Sequence, residues 1–203
     1  MKPIKFILIF IILNQTTNCQ TANEIYQSLL KIYKNVIQVS FDFNLIEEGI
    51  QGHLIAKKGN KYKITIGDRE IICNGKTVWN YSKSDKKVFI NDFEENEDQV
   101  SIDKIFFSFL NSFEPIKLTE INKSDGTNAY VLTLKTNETF RTTLHINSVK
   151  ITVHKETFDI LEFQISEPQK MTWEIKKMQL RKKADDKIFE FQIPEGIEVI
   201  DLR

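Results

Sequence analysis

The sequence has 203 residues, which is enough for one domain, and 41% of them are hydrophobic and 28% charged. This is the composition of an ordinary globular protein. Its 28 Lys and Arg balance 28 Asp and Glu, so the charge gives no indication of nucleic-acid binding, which calls for a strongly basic face. The 15 Phe against 2 Trp and 5 Tyr predict either a dense core or an apolar pocket.

Residues 1–19 have the layout of a secretory signal peptide. Lys2 and Lys5 precede a short apolar run that ends at Leu13, and a polar stretch follows. The run is well short of the roughly 20 residues of a transmembrane helix. Thr17 and Cys19 suit cleavage before Gln20, whereas a lipidated Cys19 is the alternative. We therefore expect an exported, periplasmic protein whose mature part, residues 20–203, forms a single domain and does not span a membrane.

The mature chain begins with a predicted helix. Thr21 and Glu24 have the spacing of a capping box. Apolar residues then recur at helical spacing: Ile25, Leu29, Ile32, Tyr33 and Val36.

From residue 38 the apolar residues recur at every second position, which predicts strands with one polar face. Gly59-Asn60 and Asn74-Gly75 mark turns between them. Cys73, the one cysteine after residue 19, lies in a predicted strand, and we expect it to be buried. The strand residues up to position 90 are Val39, Phe41, Phe43, Leu45, Ile50, Leu54, Ala56, Tyr62, Ile64, Ile66, Val78–Tyr81, Val88 and Ile90.

An acidic stretch over residues 92–104 then leads into a second predicted helix. Its apolar stripe consists of Ile102, Ile105, Phe106, Phe109, Leu110 and Phe113. Strand periodicity returns after Pro115 with Ile116, Leu118, Tyr130, Leu132, Leu134, Leu144, Ile146, Val149, Ile151, Val153, Phe158, Ile160, Leu161, Trp173, Ile175, Phe189, Phe191 and Ile193.

These elements predict a mainly β (α+β) fold with about ten or eleven short strands. Because the outer face of such a sheet is polar, both helices must lie against its single apolar face. A strongly curved antiparallel sheet, an incomplete barrel with a helical lid over a hydrophobic cavity, is the simplest arrangement.

Three segments resemble the periplasmic outer-membrane lipoprotein carrier family, LolA, and they stand in the family's order. The first, Gln51–Ile64, is similar to a family pattern that consists of a Gly, an apolar strand, a basic pair, a Pro and an aromatic residue near a second strand. The second, Asn74–Tyr81, reads Asn-Gly-Lys-Thr-Val-Trp-Asn-Tyr, and the third, Phe189–Val199, carries Phe-x-Phe, Pro, x-Gly and x-Val.

The resemblance implies an unclosed barrel of eleven strands and a protein that accepts acylated lipoproteins from an inner-membrane ATP-driven release complex and delivers them to an outer-membrane acceptor. It implies a lid that includes Ile25, Leu29, Ile102, Ile105, Phe106, Phe109 and Leu110. Lys58 stands where the family has a lid-binding Arg, and Gly59 replaces the Pro, so we expect Lys58 to act as a weaker latch. The residues expected to line the lipid-binding cavity are Phe41, Phe43, Leu54, Ala56, Tyr62, Ile64, Val78, Trp79, Tyr81 and Leu132.

No cofactor, metal site or catalytic constellation is expected. The three His residues have no metal-ligand spacing, and no Gly-x-Ser-x-Gly frame is present. We expect a monomeric carrier that is not an enzyme. The alternatives are a carrier or sensor of another envelope lipid, such as a glycolipid or a polyene-type lipid, and an envelope module that binds a protein partner without lipid.

Overall fold

The computed structural model describes residues 20–94, 107, 110, 113–138, 141–142, 145–183 and 185–203. The main elements in this part of the chain are the helix α1 (Ala22–Tyr33) and twelve strands. They are β1 (Gln38–Leu45), β2 (Ile50–Lys57), β3 (Lys61–Ile66), β4 (Arg69–Asn74), β5 (Thr77–Ser82), β6 (Lys87–Asp92), β7 (Phe113–Asn122), β8 (Asn128–Thr136), β9 (Ser148–His154), β10 (Ile160–Ile165), β11 (Met171–Arg181) and β12 (Glu198–Asp201). A short 3-10 helix covers Lys187–Phe189.

All twelve strands form one curved sheet with the order β12-β6-β5-β4-β3-β2-β1-β11-β10-β9-β8-β7. Neighbouring strands are antiparallel, except that β12 runs parallel to β6. The two ends of the order, β12 and β7, are not paired with each other among the described residues. The predicted incomplete barrel is therefore confirmed, with twelve strands instead of about eleven.

One face of the sheet, which we call the inner face, packs against α1. Cross-strand pairs place Leu45, Trp173, Phe163, Ile151 and Leu132 on this face, in a row that runs from β1 to β8. The apolar stripe of α1 lies against the β8–β9 end of the row. The helix begins where expected, because Thr21 and Glu24 form the capping box.

The opposite, outer face is not uniformly polar. Residues 185–197 lie along it, and the 3-10 helix contacts β3 and β4. Phe189 is completely buried there. Ile72, Tyr81 and Val88 are also buried on the outer face. Strands β4 and β5 thus bury side chains on both faces, namely Ile72 and Cys73 in β4 and Tyr81 and Ser82 in β5, and this explains their consecutive apolar residues.

Five sequence predictions are wrong in detail. Phe189, Phe191 and Ile193 do not form a strand: the chain makes the 3-10 helix and then an irregular segment before β12. Phe113 opens β7 instead of ending a helix. Ile146 precedes β9 and Phe158 precedes β10 instead of lying in strands. Val36 follows the end of α1 instead of continuing it. In each case the spacing of apolar residues predicts that they are buried, but the backbone hydrogen-bond partners determine the secondary structure. Among the described residues, no helix combines the length and apolar character that crossing a bilayer requires.

Candidate functional site

A buried apolar cluster at the start of β1 holds the centre of the inner face together. Its members are Val36, Val39, Phe41, Leu54 and Ala56. These residues are at most 7% exposed, so Phe41, Leu54 and Ala56, expected to line a cavity, form the packed floor beneath it.

Around this floor lie apolar side chains that the fold leaves partly exposed. We call Phe43, Tyr62, Ile64 and Val78 the inner apolar patch. Register places all four on the inner face, and each is half-buried. The patch is therefore a surface that an apolar ligand can contact.

Gly52 gives Phe43 its place in the patch. A Cβ atom at Gly52 would lie 2.5 Å from Cζ of Phe43 and 2.6 Å from the backbone oxygen of Thr65. Only a residue without a side chain allows the phenyl ring to lie over β2 at this point. This explains why the resembling segment Gln51–Ile64 needs its glycine, a reason that the sequence pattern did not supply.

The patch continues into an open cleft of about 540 Å³ at the β5–β6 end of the sheet. Tyr62 and Val78 form its apolar side, and Asp92, Glu94 and Arg203 belong to its polar side. Arg203 is held by Asp201, with its Nη2 atom 2.6 Å from the Asp201 carboxylate. The side chain of Arg203 keeps the pKa of Asp201 at about 2. The cleft is thus mostly polar, and Tyr62 and Val78 give it an apolar wall where it joins the inner apolar patch.

The titratable groups of the patch stay neutral. Burial raises the pKa of Tyr62 to about 12, with a further contribution from Cys73 beside it. Burial also raises the pKa of the Cys73 thiol, which is completely buried, as expected. An uncharged phenol and thiol preserve the apolar character of the surface.

Helix α1 covers the β7–β9 part of the inner face. Ile25 and Leu29, expected in the lid, are buried against β8 and β9 together with Leu132. The Tyr26 hydroxyl donates to the carbonyl oxygens of Leu110 and Phe113. This ties the helix to the segment that enters β7. Leu132 is therefore core beneath α1 and is not accessible.

Lys58, the expected latch, lies beside the one aromatic residue of the lid segment that the structure describes. Its Nζ atom is 5.9 Å from the ring centroid of Phe107, within the range of a cation–π contact. Phe107 also packs against the buried floor of the inner face. Lys58 and Phe107 thus meet where the inner apolar patch begins. Four expected lid residues lie outside the described residues: Ile102, Ile105, Phe106 and Phe109. Leu144 and residues 1–19, which include Cys19, also lie outside them.

Trp79 and Tyr81 do not share the inner face. They alternate with Val78 and Asn80 on β5 and point outward, where Phe191 packs against both. The ring centroids of Tyr81 and Phe191 are 5.3 Å apart, and those of Trp79 and Phe191 are 6.4 Å apart. Both aromatic residues therefore anchor the C-terminal segment instead of lining the cavity. The two-residue period of the strand could have separated them from Val78.

His53 also lies on the outer face, as its position next to Leu54 predicts. Its Nδ1 atom is 2.7 Å from Oδ1 of Asp42, whose other oxygen is 2.9 Å from Nζ of Lys177. These hydrogen bonds lower the pKa of Asp42, and Lys177 has the largest effect. Within the described ranges, no three His, Cys, Asp or Glu side chains converge as metal ligands.

Several solved structures are similar to this fold. An uncharacterized conserved protein from Thermus thermophilus has a TM-score of 0.51 and 13% sequence identity, and the match covers 90% of this chain and 99% of that one. LppX from Mycobacterium tuberculosis has a TM-score of 0.49 and 11% identity over 81% of this chain and 97% of its own. LprF from Mycobacterium bovis has a TM-score of 0.49 and 10% identity over 87% and 97%. At these identities the likeness concerns the fold alone.

A family model matches at the level of sequence. The model of the outer membrane lipoprotein carrier protein LolA covers residues 37–192, which include most of the twelve-stranded sheet. No curated protein sequence matches the chain. Members of the matching family are extracytoplasmic binding and carrier proteins for lipids or lipoproteins, and they are not enzymes. With the unclosed sheet and the exposed inner apolar patch, this match shows that the chain belongs to the outer membrane lipoprotein carrier protein LolA family.

Proposed function

We propose that this protein is a periplasmic carrier that binds the acyl chains of lipoproteins on the inner apolar patch and shuttles them from the inner to the outer membrane. It accepts its cargo from an inner-membrane ATP-driven release complex and gives it to an outer-membrane acceptor. The observation that carries the proposal is the partial exposure of Phe43, Tyr62, Ile64 and Val78 on one face of an unclosed sheet.

Acyl chains need such a surface to cross an aqueous compartment. Each CH₂ group removed from water contributes about 0.8 kcal/mol, so exposing a chain of roughly 16 carbons to water costs about 13 kcal/mol. Side chains that the protein's own core leaves uncovered can take over the contact with the acyl chain. The neutral Tyr62 and Cys73 keep a charge away from it.

Release requires that something competes with the lipid. Phe107 packs against the floor of the inner face and contacts Lys58, so an entering acyl chain has to displace it. A lid that favours the empty protein lowers the affinity for cargo. Because Lys58 offers one ammonium group where the family has a five-donor guanidinium, we propose that it is a latch that opens easily.

The proposal is tested with a fluorescent tripalmitoylated cysteinyl peptide and the purified protein. Ile64→Gln places an amide on the inner apolar patch and is expected to weaken binding at least about tenfold, since a well-buried Ile contributes about 1.5–3 kcal/mol and about 1.4 kcal/mol is tenfold. Thr65→Gln is the matched control, because Thr65 is the next residue of β3, is also half-buried and faces outward. Equal affinities for Ile64→Gln and the wild type would exclude the inner apolar patch as the acyl site.

Cargo identity and direction of transfer need a second experiment. Organic extraction of the protein purified from its own periplasm, followed by mass spectrometry, separates an acylated protein from a free glycolipid. Release of acylated protein from spheroplasts into the soluble fraction then measures uptake from the inner membrane. A free lipid in the extract without any acylated protein would replace lipoprotein shuttling with transport of that lipid.

A further inference from the structure

We infer that a second surface of this protein docks it on membranes: a basic rim formed by Lys34, Lys58, Arg181, Lys182 and Lys183 binds bilayers that contain anionic lipid. The inference rests on the proposed function, because it names the surface from which an acyl chain enters or leaves the inner apolar patch. The rim shares only Lys58 with the residues of the proposed function, and the inference can fail independently because its test changes Arg181, Lys182 and Lys183.

Three elements, α1, β2 and β11, end close together and bring these cations to one end of the central strands of the sheet. The Ile37 N–H donates to the Arg181 carbonyl and the Lys58 N–H donates to the Ile37 carbonyl, each at 2.9 Å. Ile37 thus lies between the end of β11 and the end of β2. With a strand spacing of about 4.8 Å, the Arg181 and Lys58 backbones are about 10 Å apart. Lys34 caps the end of α1 just before Ile37, and Lys182 and Lys183 follow Arg181.

The rim carries positive charge that the described residues do not neutralise. All five side chains are exposed, and none forms an ion pair with a described carboxylate. Asp186, a nearby acid, is already engaged by Lys57 and by Lys61, whose Nζ atom is 2.7 Å from Oδ2. The Arg181 and Lys58 backbones, about 10 Å apart, are separated by little more than the Debye length of about 8 Å in physiological salt, so their potentials overlap.

Apolar groups stand beside the charges. Leu180, the neighbour of Arg181 along the chain, is partly buried against the apolar cluster of Val36, Val39, Phe41, Leu54 and Ala56. Lys58 reaches over Phe107, and Ile32, on the last turn of α1, is 37% exposed. Cations that flank apolar side chains are typical of surfaces that lie in the headgroup region of a bilayer. We therefore infer a membrane as the occupant. In this orientation the rim end of the inner face meets the lipid.

The test is flotation of the full chain with phosphatidylcholine vesicles, either pure or containing roughly one third phosphatidylglycerol. We expect binding only to the anionic vesicles and a marked loss of binding as salt is raised. The variant Arg181→Gln/Lys182→Gln/Lys183→Gln is expected to lose about 100-fold in partitioning, at roughly fivefold for each cation.

The matched control is Lys117→Gln/Lys135→Gln/Lys150→Gln, which removes the same charge from exposed positions on β7 to β9. It is expected to retain binding within about threefold. Equal losses in both variants would show that net charge alone matters and would overturn the inference. Binding that requires a protein in the vesicles would replace the bilayer with a protein partner and would also overturn it.

Two readouts separate this inference from the proposed function. The rim variant should bind the tripalmitoylated peptide in solution like the wild type, and its urea midpoint should be unchanged. A wild-type protein that binds the peptide but no anionic vesicle refutes the basic rim alone. A protein that binds vesicles but not the peptide refutes the carrier proposal instead.

Discussion

Gly52→Ala is the change that most directly tests how the inner face is built. The added methyl group would lie 2.5 Å from Cζ of Phe43 and 2.6 Å from the carbonyl oxygen of Thr65. The Phe43 ring can rotate away, but the Thr65 oxygen is part of β3, which is paired with β2 on both sides of the contact. Relief therefore requires movement of the backbone as well as of the ring.

Overpacking of this kind costs about 1–3 kcal/mol. For a chain of this size, each kcal/mol lowers the melting temperature by roughly 2–4 °C, so we expect a decrease of about 2–12 °C. The displaced Phe43 ring should also weaken binding of the acylated peptide, because it leaves its place in the inner apolar patch.

Urea denaturation followed by circular dichroism measures the free energy of unfolding of Gly52→Ala, Phe43→Ala and the double variant. Phe43→Ala removes one of the two clashes, so Gly52→Ala should cost less in that background, but not zero, since the Thr65 contact remains. Gln51→Ala, at the exposed neighbouring position, is the control and should be near neutral. Strict additivity of the two substitutions would show that the Phe43 ring does not lie on Gly52.

Two aromatic side chains, Tyr26 and Phe191, give three more testable expectations. Tyr26→Phe removes the donor to the carbonyl oxygens of Leu110 and Phe113 and should lower the free energy of unfolding by about 1–3 kcal/mol. An unchanged urea midpoint would show that these hydrogen bonds do not contribute to stability. Burial raises the pKa of Tyr26 to about 12 from 10.0, so the folded protein holds this proton where the unfolded chain loses it: stability should be full below pH 10 and fall as the pH rises toward 12, with a shallower fall in Tyr26→Phe. Phe191→Ala should cost about 1–3 kcal/mol without changing peptide affinity, because Phe191 packs on the outer face, and a loss of affinity would contradict that placement.

The sequence alone was sufficient for the strands that bury one face. From β1 to β3 the apolar residues alternate, and the register that the turn at Gly59-Asn60 imposes on β2 and β3 leaves one arrangement with the apolar side chains together. The capping box at Thr21 and Glu24 likewise located the start of α1. These features depend on neighbours within a few residues, and such local preferences are readable from the chain.

Where both faces of a strand are buried, the pattern no longer distinguishes inside from outside. Val78, Trp79 and Tyr81 are all apolar, and sequence reasoning assigned all three to one cavity. Trp79 and Tyr81 face outward, where they pack against Phe191. Phe191 lies more than 100 residues later in the chain, so this contact is visible only in the tertiary structure. The partner of β12 is a similar case, because its four residues carry no signal for parallel pairing with β6.

By itself, the sequence determined most of the segments that become strands, where the first helix begins and which family motifs are present, since each depends on periodicity or spacing within a short window. The tertiary structure alone decided which apolar side chains are core and which are exposed. Leu132 is covered by α1, whereas Ile64 is left half-buried. The physical reason is that exposure depends on what packs against a residue, and the elements that cover the inner and outer faces come from distant parts of the chain.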